Sequence, residues 1–220
     1  MIEQSLQGRR AFILQNTTLE PPPHTPELAL HVASEITPIW KMTEEALEEI
    51  GLPPPFWAFA WAGGQALARY TLDNPQIVTG HGVVDFASGS GIVAIAAKKA
   101  GAARVLAADI DPFCEAATEL NAQANGVEVD FTAENLLDAP PPAWASVILA
   151  GDICYEKPLA ERVMAWLGQA RAAGATVLIG DPGRSYFPRQ GLTKLAEYQV
   201  PTTRELEDME VKKTAVWKLP

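Results

Sequence analysis

From residue 82 onward, short continuous apolar runs take turns with segments whose apolar residues recur at helical spacing. Runs at 82–87, 104–109, 127–132, 145–151 and 175–181 have the length and continuity of strands covered on both faces. Helices are predicted over 91–100, 112–125, 157–172 and 189–196. Asp111-Pro112 opens the second of these with proline in its first turn, and Asn125-Gly126 closes it. Such alternation predicts a parallel sheet with helices on both faces. The tail breaks the rhythm. Segments 198–205 and 212–220 flank the acidic stretch ELEDMEV with no helix-length segment between them, so they are expected to pair antiparallel.

The first sixty residues do not follow this pattern. ELALHVA (27–33) alternates with period two and reads as a strand with Leu28, Leu30 and Val32 on one face. Thr43 caps a short helix that runs through Ile50 and ends at Gly51. FWAFAWAGG (56–64) comes next, then a helical GQALARYTLDN stopped at Pro75. Proline triplets at 21–23, 53–55 and 140–142 act as breakers, and no internal repeat or low-complexity tract is present.

Length and charge narrow the classes. A chain of 220 residues suits one large α/β domain with an extension, and buries roughly 70% of its extended surface. No apolar run reaches the ~20 residues that span a bilayer, and MIEQSLQGRRAF shows no secretory pattern. Cys114 and Cys154 have neither metal-ligand nor disulfide-framework spacing; they read as core residues of a protein in the reducing cytoplasm. The three histidines are dispersed, so no metal site is expected. With 17 basic and 27 acidic residues the formal charge is −10, which repels nucleic-acid phosphates and anionic membranes. It favours a cationic partner such as a lysine-bearing protein surface, although solubility alone also accounts for it.

Candidate chemistry concentrates in VVDFASGSG (83–91). An apolar run reaches Asp85, breaks into Ala87, Ser88, Gly89, Ser90 and Gly91, and re-enters a helix. A strand turning through glycines into a helix presents N–H groups and a helix N-terminus to a ligand above the sheet edge. RVLAAD then ends on Asp109, twenty residues beyond Gly89, where a carboxylate can accept ribose hydroxyls. This outline fits a nucleotide-type cofactor. Read as G-x-G-x-x-A, residues 89–94 also fit a dinucleotide, and an unoccupied structural turn has the same letters. The fourth strand of this series ends in SVILAGDICYEKP, which places Gly151, Asp152 and Tyr155 at the carboxyl edge, where ligands of open α/β sheets bind. The alternative for Asp152 is the N-cap of the helix that follows. Trp57 and Trp61, four apart, either wall the ligand or pack the extension onto the sheet, Trp61 being the stronger ligand candidate.

Asp85-x-Ala87-x-Gly89-x-Gly91 resembles motif I of the class I S-adenosylmethionine methyltransferases, D-x-G-x-G-x-G, with Ala87 in place of the first glycine. Together with PFWAFAWAGGQALARY and D-x-x-Y at 152–155, the chain is similar to the seven-β-strand lysine methyltransferases. It is most similar to those acting on the β subunit of electron transfer flavoprotein, and it shares DIDP and NAQANG with ribosomal protein L11 methyltransferases. The resemblance runs from about Pro26 to the C-terminus. It implies a Rossmann-like, doubly wound, mostly parallel seven-stranded sheet with an antiparallel C-terminal hairpin. Residues 76–220 would form the methyltransferase domain, with residues 1–75 an extension packed over its cofactor side, as one compact unit. It implies S-adenosyl-L-methionine as cofactor, with Asp85, Ala87, Gly89 and Gly91 shaping the methionine pocket, Asp109 on the ribose, Asn135 near the adenine and Trp61 as a wall. Asp152 and Tyr155 would stand at the reacting amine. The implied substrate is a protein with an exposed lysine, the electron transfer flavoprotein β subunit, with a ribosomal protein or a small-molecule amine as alternatives. A non-catalytic nucleotide-binding module remains a further possibility, because fold alone does not establish chemistry.

Overall fold

The computed structural model describes residues 3–34, 39, 54–202 and 209–220. The short helix expected at 43–50 lies outside the described residues, as does the end of the segment expected over 198–205.

Parallel strands β3 (Gly82–Phe86), β4 (Arg104–Ala108), β5 (Asp130–Thr132), β6 (Val147–Gly151) and β7 (Thr176–Asp181) join the antiparallel pair β8 (Thr193–Pro201) and β9 (Val211–Lys218) in one seven-stranded sheet. Its order is β5-β4-β3-β6-β7-β9-β8, so the topology reverses between β3 and β6, where a crevice opens at the carboxyl edge. This is the expected α/β sheet with its terminal hairpin. Helices α2 (Ala62–Asp73) and α3 (Ile92–Lys99) bury Ala66, Leu67 and Ile95 with Val83, Val105 and Leu149 on one face of the sheet. On the other face, α5 (Lys157–Ala172) buries Val163, Trp166 and Leu167 with Val84, Ile148 and Ile179. Truncating any of these large side chains to alanine costs about 2–5 kcal/mol.

The N-terminal segment shares a core with the sheet domain. Helix α1 (Leu6–Asn16) lies along α4 (Pro112–Ala124), with Ile13, Trp57, Phe113 and Leu120 in one buried cluster. Trp57 is fully buried and stacks on Phe113 at 5.6 Å between centroids. Strand β2 (Leu30–Val32) pairs with β1 (Thr18–Glu20) outside the main sheet. Two buried or half-buried amides, one in α4 and one at its C-cap, tie this ribbon down. Asn121 accepts from the His31 N–H and donates to the Ser90 carbonyl; Asn125 exchanges both bonds with the Ala29 backbone. Asn121 therefore fixes the glycine turn and the N-terminal segment together.

Several expectations are corrected. Residues 193–196, assigned to a helix at 189–196, begin β8, because eight cross-strand pairs with β9 outweigh local helical spacing. Helix α1 went unread: its single buried residue, Ile13, leaves almost no apolar periodicity, and only the Ser5 hydroxyl accepting from Gly8 N–H marks its start. The strands expected at 27–33 and 127–132 shrink to β2 and β5, and Ser146 is exposed rather than buried in β6. Gly151, placed at the carboxyl edge as a ligand-side residue, lines the cavity described below and also admits α2: a Cβ there would stand 3.0 Å from the Cα and N of Gly64.

That contact belongs to a tight seam. A Cβ on Gly63 would overlap the Gly180 carbonyl and stand 2.5 Å from Asp152 Oδ2. Gly63→Ala is therefore expected to destabilise the fold by about 2 kcal/mol or more, seen as a melting temperature lowered by roughly 4–8 °C at this chain length. Gly168→Ala, in the exposed face of α5 where a Cβ meets nothing within 4 Å, should move the melting temperature the other way.

Candidate active site

The sequence 85–91 forms the turn between β3 and α3. Its left-handed residues are Ala87, Gly89 and Gly91, at φ 55°, 51° and 77°. A left-handed alanine costs about 1–2 kcal/mol, held here by surrounding bonds. Gly89 N–H donates to Asp109 Oδ2 at 2.9 Å, and Asp109 Oδ1 accepts from Asp111 N–H at 3.1 Å. Asp109 thus joins the turn to the end of β4. Asp85, buried at the centre of the sheet, accepts the Ala94 N–H in the first turn of α3 at 2.9 Å. Burial raises its carboxyl to about 8, against the opposing pull of that hydrogen bond. Asp85 is therefore largely protonated at neutral pH.

The turn floors a cavity of about 680 Å³, within the range of small-molecule sites. Trp61, Asp85, Ala87, Gly89, Asp109, Asn135, Asp152 and Tyr155 all line it. Gly91 does not. It is the N-cap of α3, and a Cβ there would come within 2.9 Å of Thr118 Oγ1. Asn135 accepts from Leu137 N–H and caps a single 3₁₀ turn at the cavity wall. The glycine turn, the Asp109 carboxylate and the apolar walls suit an adenosine-bearing group with a charged tail. A Cβ at Gly89 would meet only Phe56 O, at 3.6 Å, so the turn stays open toward that group.

Opposite the turn, Asp152 follows β6 at φ 57°. It is not the N-cap of α5, a place taken by Glu156. It reaches across to a different helix: Oδ2 accepts the Gly64 N–H in the first turn of α2 at 3.0 Å. Oδ1 accepts from Arg184 Nη2 at 2.7 Å and Nε at 3.2 Å. Tyr155, half exposed, lies 5.9 Å from the Phe56 ring, which in turn lies 5.8 Å from Trp61. Trp61 Nε1 donates to the Phe56 carbonyl. Burial, with Glu156 and Asp109 adding, raises the Tyr155 phenol, so it remains a donor at neutral pH. The two tryptophans part company: Trp61 walls the cavity, and Trp57 is in the core.

Arg184 and Phe56 were not singled out in the sequence. The signal for Arg184 is Asp-Pro-Gly directly after a buried strand at the carboxyl edge. Asp181 Oδ1 accepts from the Gly183 and Arg184 N–H groups, turning the chain so that the guanidinium points back at Asp152. Burial raises the Asp181 carboxyl to about 6. Among the described residues, no cluster of three His, Cys, Asp or Glu is placed to hold a metal.

The raised Asp85 has a measurable consequence. Its folded form keeps a proton that the unfolded form loses above about pH 4, so stability should fall as pH rises from there toward about 8. Asp85→Asn should flatten that slope in melting temperatures taken across the range; an unchanged slope would mean that Asp85 is ionised in the fold.

Comparison with known proteins gives a consistent assignment. The family model for ribosomal protein L11 methyltransferase matches residues 65–169. The electron transfer flavoprotein beta subunit lysine methyltransferase of Xenopus laevis is 41% identical over 214 residues, covering 94% of this chain and 85% of that protein. The Homo sapiens protein of the same name is 38% identical, covering 94% and 80%. In fold alone, the chain is similar to the ribosomal protein L11 methylase of Lactobacillus delbrueckii subsp. bulgaricus: TM-score 0.51, 21% identity, 74% of this chain and 81% of that one. The chain belongs to the electron transfer flavoprotein beta subunit lysine methyltransferase family, a group of S-adenosylmethionine-dependent class I methyltransferases.

Proposed function

We propose that this methyltransferase methylates lysine side chains of the electron transfer flavoprotein beta subunit. The observation that carries the reading is the meeting of Asp152 and Tyr155 with the glycine turn and Asp109 in one cavity. The exposed Phe56, Ile110 and Tyr155 at that cavity support a macromolecular substrate, since they offer apolar surface to a docking partner. The net charge of −10 favours a lysine-bearing one. The free, buried thiols of Cys114 and Cys154 fit the reducing cytoplasm to which we assign the protein.

The bound cofactor supplies a methyl group on a cationic sulfur. Asp109 would hold the ribose hydroxyls, Asn135 would lie at the adenine, and Trp61 would close the wall. Gly89 would let the backbone approach the methionine portion, with Asp85 and Gly91 fixing the turn beneath. A lysine of ordinary pKa near 10.4 must give up its proton before its lone pair can act, at a cost of about 4–5 kcal/mol at pH 7. Desolvation beside a cation reduces that cost. The deprotonated amine would receive that methyl group through its lone pair, and the surplus proton on nitrogen would leave to solvent. Asp152 would accept an N–H of the amine and aim it, and the Tyr155 hydroxyl would fix its direction, so the residues act largely by positioning.

Incubating the protein with labelled S-adenosylmethionine and purified electron transfer flavoprotein beta subunit tests the reading. Label should appear on lysines of that protein; label confined to small molecules would overturn it. Asp109→Ala removes charged hydrogen bonds worth about 1.5–3 kcal/mol each, so calorimetry should find cofactor binding tenfold weaker or worse. Asp152→Asn should lower kcat by more than about tenfold, with cofactor affinity nearly kept. Tyr155→Phe should cost less, on the order of tenfold. A fully active Asp152→Asn would remove Asp152 from this mechanism.

A further inference from the structure

The carboxylate assigned to the target amine meets an arginine before any substrate arrives. Arg184 places two N–H groups on Asp152 Oδ1, at 2.7 and 3.2 Å, while the Gly64 N–H holds Oδ2. Both side chains are mostly buried, at 21% and 12% exposed, so the pair is poorly screened. The guanidinium also lies 5.8 Å from the centre of the Trp61 ring and lines the same cavity. Its backbone is fixed in turn by Asp181, whose buried Oδ1 accepts the Arg184 N–H at 2.9 Å.

A bare carboxylate is a poor partner for a nucleophilic amine. It stabilises the ammonium, the form that cannot react, and so raises the pKa that must be overcome. Pairing with a permanent cation removes that bias. The carboxylate keeps its hydrogen-bonding lone pairs but offers the amine little net negative charge. We infer that Arg184 is a positioning residue for methyl transfer: it holds the Asp152 carboxylate at the cavity wall and neutralises it, so that Asp152 orients the target amine without stabilising its protonated form. The inference rests on the lysine reading above. Arg184 touches neither reacting atom in this account; it acts through Asp152.

Several other titratable groups face the same cavity among the described residues. Cys154, Tyr155 and Glu156 follow Asp152 in the chain, Asp181 ends β7, and Asp85, Asp109, Asp111, Glu134 and Arg162 stand around the cavity. Burial pushes the Cys154 thiol up to about 12 and raises the Tyr155 phenol, so both stay neutral at physiological pH. Asp85 at about 8, and Asp111 and Asp181 at about 6, do titrate within the working range and need controls.

The test is the pH profile of kcat, which reports groups in the enzyme–substrate complex. It uses the full-length protein saturated with S-adenosylmethionine and the electron transfer flavoprotein beta subunit. In Arg184→Met the acid limb should move up by about one to two units, the effect of a unit charge roughly 6 Å away at an effective dielectric near 20. Much of the lost rate should therefore return at high pH. Arg184→Lys keeps the charge and should keep the limb in place even if its rate is lower. Asp85→Asn, Asp111→Asn and Asp181→Asn should each leave the limb where it is. A limb that disappears in one of these three would assign it to that aspartate and overturn the inference. So would an Arg184→Met rate that falls by one factor at every pH, the mark of a purely structural role. A faster Arg184→Met at neutral pH would overturn it too, by showing that Arg184 blocks the site. Wild-type protein that labels no lysine would instead sink the functional reading itself.

Discussion

The geometry of the site depends on how closely α2 approaches the sheet. Gly63 and Gly64, in the first turn of that helix, lie directly on the backbones of Gly151 and Gly180 at the ends of β6 and β7. No side chain stands between helix and strands, so the unpaired Gly64 N–H reaches Asp152. One orphan donor of a helix start and one charge at a strand end thereby satisfy each other. Asp85, neutral rather than charged, accepts the Ala94 N–H at the start of α3. Two acid side chains near the carboxyl edge of the sheet thus each hold the start of a helix, and helix placement and cavity chemistry become a single constraint.

The acids around the cavity do not act alike. Asp85, deep in the sheet, is pushed toward its neutral form by burial and answers mainly to packing. Asp109 spends both oxygens on backbone N–H groups of the turn and of the start of α4, which holds it at the end of β4, facing the cavity. Asp152 meets a guanidinium. Each environment suits the different duty proposed for it above: shaping the turn, receiving hydroxyls, and receiving an amine that must not be held as a cation. Similar residues in a short span gain distinct chemistry from burial and partners rather than from their identity.

Much of this was legible in the sequence because the information was local. VVDFASGSG, the run ending on Asp109 and SVILAGDICY each carry strand, turn and chemistry within a dozen residues, and each stands where alternation of strand and helix put it. What escaped was encoded between distant segments. Helix α1 buries one residue and owes its place to α4, a contact that no periodicity within 6–16 announces. Residues 193–196 carry a helix-like spacing and became strand because β9 was available to pair. Arg184 sits in a turn whose local letters describe only the turn. Its meaning comes from Asp152, 32 residues earlier in the chain.

The pairing of Asp152 with Arg184 also bears on why the N-terminal segment matters to the chemistry. Residues before the sheet domain contribute Phe56 and Trp61 to the cavity and Gly64 to the carboxylate, while Trp57, four residues before Trp61, is locked against Phe113 on α4. Asn121 of α4 in turn binds Ser90 in the glycine turn. The glycine-turn end and the Asp152 end of the cavity are therefore connected through the same buried cluster. A shift of α4 against Trp57 would disturb Phe56 and Trp61 on one side and the glycine turn on the other. Both ends of an in-line transfer depend on sub-ångström placement. A buried cluster that touches both sides sets both placements at once.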